Sequence, residues 1–234
     1  MTGTILNLVA IIIGSSIGML IGKQFPDRIR QTVIAGMGLF TLVYGFQLFL
    51  KTQNSLLVIS SIVIGAFLGE WWQIENWLHR LGKLLETRFS PTGEDSGKFS
   101  KGFLTASLIF CIGPMTILGS IQNGLTGDFN LLAVKSILDG FYSILLSATL
   151  GLGVMFSGVV VLVVQGGISL AAWQIQSITT PAMMNEMSAA GGIILTGIAI
   201  SSLLEIRQIR AGNMLPALVI APLLTAIFTK LGYL

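Results

Sequence analysis

The chain has 234 residues, of which 53% are hydrophobic and 10% are charged, and its mean hydropathy is +0.85. A soluble domain carries about 25% charged residues, so the composition excludes that class and indicates an integral membrane protein. The formal charge of +3 is too small to suggest a nucleic-acid partner. A single cysteine and a single histidine argue against a disulfide or a metal site, and we expect neither a metal nor a cofactor.

Eight apolar runs are long enough to cross a hydrocarbon core of about 30 Å. They lie at about 4–22, 32–50, 55–72, 102–120, 131–151, 154–174, 187–205 and 213–231. The predicted fold class is therefore all-α, a polytopic transmembrane helical bundle of about eight spans with broken helices. Segments 1 to 3 can also be laid over segments 6 to 8 in the opposite orientation, which suggests an inverted repeat of the kind found in transporters.

The basic residues are divided unevenly between the connections, and this division predicts the orientation. Ten lie in the first, third and seventh connections, and two lie on the other side, at Lys51 and Lys230. We therefore expect the basic connections in the cytoplasm and both termini outside it. A single span over residues 131–174 would break this pattern, so a helix end is predicted near Gly151 and Gly153.

The chain divides at one polar stretch, residues 90–101, which is predicted to be a cytoplasmic linker. Residues 1–89 form a front part of three spans and an amphipathic segment. Residues 102–234 form a back part of five spans, and the two parts together make one membrane domain. Within the front part, residues 70–89 are predicted to form a helix with apolar side chains on one face and charged side chains on the other. We expect this amphipathic helix to lie on the cytoplasmic surface.

The fifth segment carries two charges, Lys135 and Asp139, inside an otherwise membrane-spanning run. At 100° per residue they share one helix face with Ser136 and Ser143. A charge in hydrocarbon costs roughly 3 kcal/mol, so it normally has a partner and a purpose. The two residues are one helical turn apart and can pair. Asp139 could carry a proton, Lys135 could receive an anion, or the pair could simply neutralise itself and join neighbouring helices.

Further candidates for contact with a solute or ion lie at predicted helix breaks. Gly113 and Pro114 interrupt the fourth segment near mid-membrane, and Gln165, followed by two glycines, interrupts the sixth. Broken helices at that depth are typical of transporter sites, although kinks also serve packing alone.

Polar residues near the outer ends of the segments complete the set. Asn7 is expected to form an interhelical hydrogen bond or to contact a solute. Asp128 and Glu186 are candidates for an outer mouth, and Glu186 is more simply interpreted as a solvated residue at the membrane edge.

Several elements of the chain resemble one bacterial membrane family, domain of unknown function 554. The resemblance covers essentially the whole chain, and its most specific elements are LGSIQNGLTGD and KSILDG. It implies a polytopic inner-membrane protein of transporter type and fixes no substrate. The elements are GTILN at 3–7, GAFLGE at 65–70, CIGPMTILGSIQNGLTGD at 111–128, KSILDG at 135–140 and SAAGGIIL at 188–195.

Two functions follow from these observations. The leading hypothesis is a transporter or permease for a small solute or ion, with the Lys135 and Asp139 pair in its path. The alternative is a non-transporting scaffold or sensor that docks lipid or partners through residues 70–89. The sequence contains no zinc-protease motif and no Ser and His pair within the membrane, so an enzyme is not expected. Small-residue faces on several helices favour a homo-oligomer, most simply a dimer.

Overall fold

The computed structural model describes residues 1–22, 26–89 and 97–231, and these residues are helical without any strand. Most of the predicted linker therefore lies outside the described residues, as does Lys23. Eleven α-helices are described: α1 Thr2–Gly22, α2 Asp27–Phe49, α3 Ser55–Trp72, α4 Ile74–Phe89, α5 Lys98–Cys111, α6 Pro114–Thr126, α7 Asn130–Leu150, α8 Gly153–Leu170, α9 Ala172–Ile178, α10 Pro181–Ile198 and α11 Ala217–Lys230.

Seven helical stretches in the described residues are long and apolar enough to cross a membrane, and the pair α5 and α6 makes an eighth when it is counted as one span. The two helices of this pair are bent by 64°. Pro114 begins α6, and Gly113 before it has a φ of 146°, a conformation that residues with a side chain rarely adopt. The predicted all-α polytopic bundle with a broken fourth span is confirmed.

The directions of the packed helices support eight crossings. Along α1 and α7, Gly3 lies opposite Leu132 and Gly22 opposite Ala148, so these two helices run parallel. In the alternating order, parallel packing requires an odd number of spans between α1 and α7, and α2 and α3 are two of them. The α5 and α6 pair must therefore cross once, since a hairpin that re-entered on the same side would make α1 and α7 antiparallel.

The chain folds into two compact units. Unit 1 comprises residues 1–36 and 78–177, and unit 2 comprises residues 37–77 and 178–234. In unit 1, α1 packs mainly on α7, while α8 packs on α5, α6 and α1. In unit 2, α3 and α10 both pack on α11.

Glycine seams hold the helices of each unit together. In unit 1, a methyl group added at Gly14 or Gly18 of α1 would collide with the backbone of α7. In unit 2, Gly45 of α2 and Gly192 of α10 approach each other so closely that neither can carry a side chain. These contacts confirm that the small-residue spacing in the first segment is a packing groove, as such spacings are in other membrane helices.

The structure corrects the expected course of the sixth segment. Gln165 and the two glycines after it do not interrupt a helix, because α8 runs unbroken from Gly153 to Leu170. A glycine costs a helix only about 1 kcal/mol relative to alanine, and packing easily offsets this cost. The helix end predicted near Gly151 and Gly153 is confirmed, with Gly151 at a φ of 73°.

The seventh span begins earlier than the sequence suggests. Helix α10 starts at Pro181, where the Thr180 hydroxyl accepts a hydrogen bond from the Met183 amide, and it continues as a π-helical turn over Ala199–Leu203. A proline in the first turn suits a helix start, because that position needs no amide donor. Pro181 lies outside the apolar run predicted at 187–205, and it is nevertheless the first residue of this span.

Candidate functional site

The candidate site is built on the inward face of α7 in unit 1. Lys135, Ser136, Asp139 and Ser143 are all buried on this face, while Ile137 and other apolar residues of the helix are exposed. This division follows the helical period that the sequence predicts. The polar residues of α7 thus face its neighbours in the bundle, and its apolar residues are left for lipid.

Lys135 and Asp139 form an ion pair between Nζ and Oδ2. Lys135 is 6% exposed and Asp139 is 8% exposed, so both charges are almost entirely removed from the surface. The i, i+4 spacing along α7 lets the two side chains meet without any help from another helix. The pair is therefore a buried dipole built into a single span.

Asn7 of α1 is the third member of this group. Its Nδ2 donates to Asp139 Oδ2 at 2.9 Å, so one carboxylate oxygen accepts from both Asn7 and Lys135. The close seam between α1 and α7 brings these residues together across 132 positions of sequence. The predicted interhelical hydrogen bond of Asn7 is present, whereas contact with a solute stays a prediction.

The break between α5 and α6 lies in a helix pair that packs on α7, because both α5 and α6 contact α7. After the break the Thr116 hydroxyl donates to the Phe110 carbonyl at 3.1 Å and so replaces one lost helical hydrogen bond. Gly113 is half-buried, and the side chain of Pro114 lies outside the described residues.

Unit 1 also contains buried polar atoms that have no hydrogen-bond partner. In the described part of the chain there are ten such side-chain atoms, and all lie in this unit. Gln165 is completely buried, and both its amide nitrogen and its amide oxygen lack a partner. The others are on Thr4, Asn7, Ser15, Thr105, Ser107, Ser120, Asn123 and Ser143. Buried polar groups are normally satisfied, so these exceptions make the interior of unit 1 a candidate place for contact with water or a ligand.

These atoms are distributed along the length of the unit. Leu132 of α7 packs against both Gly3 and Gly119, which puts Thr4 and Ser120 near one level. Gly166 approaches Met1, so Gln165 belongs to the same end. Gly14 packs beside Ser143 and so defines a second level, further along α1. The Lys135 and Asp139 pair lies between the two levels on α7. Sequence reasoning missed most of these positions, because single serines and threonines are common in apolar helices.

The two outer-mouth candidates have local structural contacts. Asp128 is half-buried; its Oδ1 accepts from the Asn130 amide at 3.0 Å and its Oδ2 accepts from Gln122 at 2.8 Å, just before α7 begins. Glu186 is 2% exposed, so its interpretation as a solvated residue is wrong. Its carboxylate accepts from the Thr52 hydroxyl at 2.6 Å and from the Gln53 amide at 2.7 Å.

Among the residues that the structure describes, no group of three or more His, Cys, Asp or Glu side chains could hold a metal ion. The candidate site in unit 1 thus consists of one ion pair, carboxamides and hydroxyls.

A bundle of about eight apolar spans with a buried ion pair defines the class, a polytopic helical membrane protein. The chain belongs to the family described as "Protein of unknown function (DUF554)", whose model matches residues 2–226. It is 33% identical to "Uncharacterized membrane protein YdfK" of Bacillus subtilis (strain 168) over 99% of both chains. It is 30% identical to "Uncharacterized protein YqgA" of Escherichia coli (strain K12) over 97% of both chains. No solved structure matches the chain significantly.

Proposed function

We propose that the protein is a transporter or permease for a small solute or ion, with its path through the polar interior of unit 1. The observation that carries this proposal is the buried group of Lys135, Asp139 and Asn7, in a unit that also contains buried polar atoms without partners. Two apolar residues would pack α7 at lower cost, because burying an ion pair is often no better than burying well-packed hydrophobic residues. Ionisable residues within membrane spans commonly mark a pathway for a substrate, an ion or a proton, and this supports a functional role for the pair.

The broken span beside this group supports the same function. When a helix stops within the membrane, its last carbonyl groups and the first amide groups of the next helix lose their partners. Such ends present partial charges to a solute or an ion at the midplane of many transporters. Here the helices on both sides of the break pack on α7, which carries the ion pair, and this supports a path that uses both charged side chains and helix ends.

Two mechanisms fit the chemistry of the pair. In the first, Asp139 accepts a proton on one side and releases it on the other, and Lys135 loses or regains its partner with each step. In the second, Lys135 receives an anion while Asp139 holds the ammonium group in place. Both mechanisms require Asp139, but only the first requires a group that can be protonated.

Replacing Asp139 with Asn in proteoliposomes tests the proposal. The probes are protons, Na⁺ and Cl⁻, followed by ion-sensitive dyes inside the vesicles, and small uncharged solutes, followed by vesicle swelling. We expect vesicles that contain the natural protein to take up at least one probe faster than empty vesicles. With the Asp139→Asn variant, uptake of that probe should be slower by at least about tenfold.

The matched control is Glu86→Gln, since Glu86 of α4 is also a helical carboxylate of unit 1 but is less buried and lies outside the candidate site. Its flux should stay close to that of the natural protein. If the Asp139→Asn variant keeps both its flux and the pH dependence of that flux, the proton-carrier mechanism is wrong. If no probe crosses faster than in empty vesicles, the transport proposal itself is contradicted.

A scaffold or sensor function through residues 70–89 is the second candidate. Helix α4 carries large apolar side chains that point outward, since Trp77 is 60% exposed and Leu84 is 69% exposed. An amphipathic helix with such a face binds a membrane surface or another helix. This candidate predicts that Trp77→Ser with Leu84→Ser abolishes the cellular phenotype of the protein, while Asp139→Asn leaves it intact.

The location and assembly of the protein belong to the same proposal. We expect a bacterial inner membrane, with the basic connections in the cytoplasm and both termini on the other side, as the charge distribution predicts. We also expect a homo-oligomer, most simply a dimer, and no enzymatic activity. Cysteine accessibility at residues 2 and 51 would test the orientation, because both should react with an impermeant thiol reagent in intact spheroplasts.

A further inference from the structure

Gln165 of α8 has no exposed surface, and within the described residues neither its amide nitrogen nor its amide oxygen has a partner. A buried carboxamide normally forms several hydrogen bonds, because it offers two donors and an acceptor. This side chain therefore lacks a donor for its oxygen and an acceptor for its nitrogen. A cation would satisfy only the oxygen and an anion only the nitrogen, whereas water satisfies both.

The packing of α8 places Gln165 beside the broken span. Ser169, one turn after Gln165, donates to the Ser120 carbonyl of α6 at 2.9 Å. Helices α6 and α8 run in the same direction, since α7 between them runs back. Residues four apart lie on one face of a helix, so Gln165 lies at the level of Thr116, one turn before Ser120. Thr116 is in the first turn of α6, directly after the break at Gly113.

Gln165 also faces α1. Two contacts fix the register of α1 against α8, and these are Gly158 with Leu8 and Gly166 with Met1. The two helices therefore run antiparallel, with Thr4 and Asn7 between the contacts. In an α-helix each Cα–Cβ bond tilts toward the helix start, so the Gln165 side chain leaves α8 in the direction of these two residues. Thr4 Oγ1 and Asn7 Oδ1 are themselves buried and lack partners in the described structure.

Asp139 is at the end of this polar row of Gln165, Thr4 and Asn7. Its Oδ2 accepts from both Asn7 and Lys135, and no described contact reaches Oδ1. Helices α1, α5, α6 and α8, which pack around α7, contain no acidic residue. The other titratable side chains of the five helices are Lys98, Lys101, Cys111, Lys135 and Tyr142. Asp139 is therefore the one carboxylate that the row can reach.

The row continues on the other side of Asp139. Ser143 is one turn further along α7 and packs against Gly14, and Ser15 is the next residue of α1. Both serine hydroxyls are buried without a partner in the described residues. Hydroxyls, like carboxamides, both donate and accept hydrogen bonds, so they can hold water in either orientation.

The packing at Asp139 favours a proton over a larger solute. The hydrogen bond from Asn7 closes α1 on α7 at this point, and a methyl group added at Gly14 would already collide with the backbone of Gly140. A solute would have to separate these two helices to pass between them. A proton moves by exchange of O–H bonds and needs no such opening.

We propose that Gln165, Thr4 and Asn7 hold a water file, a line of hydrogen-bonded water molecules, which carries protons to Asp139. This inference rests on the proposed transport function and names the proton as its substrate. Gln165 is a positioning residue, because its carboxamide orients the water and does not itself carry the proton.

The transfer leaves every water molecule unchanged. Each water of the file accepts one proton from the side where α7 begins and gives one to the next water. The last water breaks an O–H bond as the new O–H bond forms at Asp139 Oδ1. The acid then gives this proton to water beside Ser143, on the side where α7 ends, and is again a carboxylate next to its ammonium partner.

Cysteine labelling tests whether the site is hydrated. In a Cys111→Ser background, Gln165→Cys introduces a thiol in the row. A thiol ionises and reacts in a hydrated site but is inert in an apolar interior, so we expect a small methanethiosulfonate reagent to modify it in proteoliposomes.

The matched control is Ala190→Cys in the same background. Ala190 is also fully buried, but it packs in an apolar cluster of unit 2. Its thiol should react at least about tenfold more slowly than the thiol at position 165. Equal rates at the two positions would overturn the hydrated site, whether or not any transport is measured.

Proton flux in vesicles tests the path itself. A potassium diffusion potential drives the flux, and a pH-sensitive dye inside the vesicles reports it. Gln165→Leu should slow it at least about tenfold, because the apolar side chain no longer holds the water by hydrogen bonds. Gln165→Ser keeps a hydroxyl and leaves room for one more water, so its flux should stay within about threefold of the natural rate.

Three outcomes would contradict the water file. If Gln165→Ser loses as much flux as Gln165→Leu, the side chain serves the structure and not the water. If the flux that Asp139→Asn abolishes is one of Na⁺, Cl⁻ or an uncharged solute and not of protons, the proton path is wrong and the transport function stands. If no probe crosses faster than in empty vesicles, both proposals are wrong.

Discussion

Glu186 in unit 2 and Asp139 in unit 1 are both buried carboxylates, and they are satisfied by different kinds of partner. Glu186 accepts from a hydroxyl and from the backbone amides of Gln53 and Asn54, so both of its oxygens are fixed by one loop. In the contacts that the structure describes for Asp139, one oxygen accepts from the side chains of Asn7 and Lys135. A carboxylate held by backbone amides stays in place, whereas one held by an ammonium group can exchange its partner.

The surroundings of the two carboxylates differ in the same direction. Within the described residues, the buried polar atoms without partners occur in unit 1 and not in unit 2. Among the described residues, the buried side-chain polar atoms of unit 2 have partners, and unit 1 contains groups that water or a solute could satisfy. Five experiments follow, from the largest expected effect to the smallest, and each can break or sharpen this contrast.

Removing one member of the ion pair should have the largest effect. Asp139→Ala leaves the Lys135 ammonium buried without its partner, which typically costs 3 to 5 kcal/mol, read here as about 4 kcal/mol of unfolding free energy in a detergent titration. The double change Lys135→Met with Asp139→Leu should restore folding and still abolish flux. A double variant that folds and transports normally would reduce the pair to a structural role.

The glycine seams should be equally sensitive in the two units. Gly18→Leu drives a side chain into the backbone of α7, and Gly45→Leu drives one into α10, so each should cost about 3 kcal/mol or prevent folding. Gly167→Ala is the control, because nothing lies within 4 Å of the added methyl group. Thermal unfolding in detergent measures all three. A tolerant seam in one unit would mean that the units differ in packing as well as in polarity.

Glu186→Gln tests the hydrogen bonds that fix this carboxylate in unit 2. The amide keeps one acceptor oxygen but turns an NH₂ group toward donors, so we expect a loss of about 2 kcal/mol in unfolding free energy. Flux through proteoliposomes should not change once the protein is folded. Lost flux in a fully folded variant would extend the functional region into unit 2.

Gln165→Leu should separate stability from function in unit 1. Because neither amide atom has a partner, replacing the side chain with an apolar one should leave unfolding free energy within about 1 kcal/mol of the natural value, or raise it. Flux should fall, since the polar lining loses one of its groups. A large loss of stability would show that Gln165 is satisfied within the protein, and the contrast between the units would weaken.

The exposed ion pair of Arg210 and Glu70 in unit 2 should have the smallest effect. The side chains are 71% and 50% exposed, and such surface pairs contribute about 0 to 1 kcal/mol. Arg210→Gln should therefore change unfolding free energy by less than about 0.5 kcal/mol, and added salt should remove even that difference. A larger change would make this contact part of the scaffold.

The sequence predicts those features that a single residue dictates locally. Gly113 and Pro114 together predict the break in the fourth span, because glycine allows an unusual backbone conformation and proline suits a helix start. The two charges of α7 are noticeable because charges are rare in apolar segments. The break predicted at Gln165 is wrong because glycines permit a helix break without requiring one. Packing against neighbouring helices decides whether the helix continues. The roles of Asn7 and Glu186 depend on partners more than 130 residues away, and no local pattern records such a partner.

The seam between α1 and α7 sets the order of events during synthesis. Helix α1 leaves the ribosome before its partner α7, which begins more than a hundred residues later, at Asn130. At 5 to 20 residues per second, Asn7 and the glycine groove therefore wait in lipid for about 5 to 20 seconds. The strongly apolar composition of α1 makes that wait tolerable, and α7 arrives with Lys135 already beside Asp139. Biogenesis of this protein thus requires a first helix that is stable alone and a late helix that carries its own counter-ion.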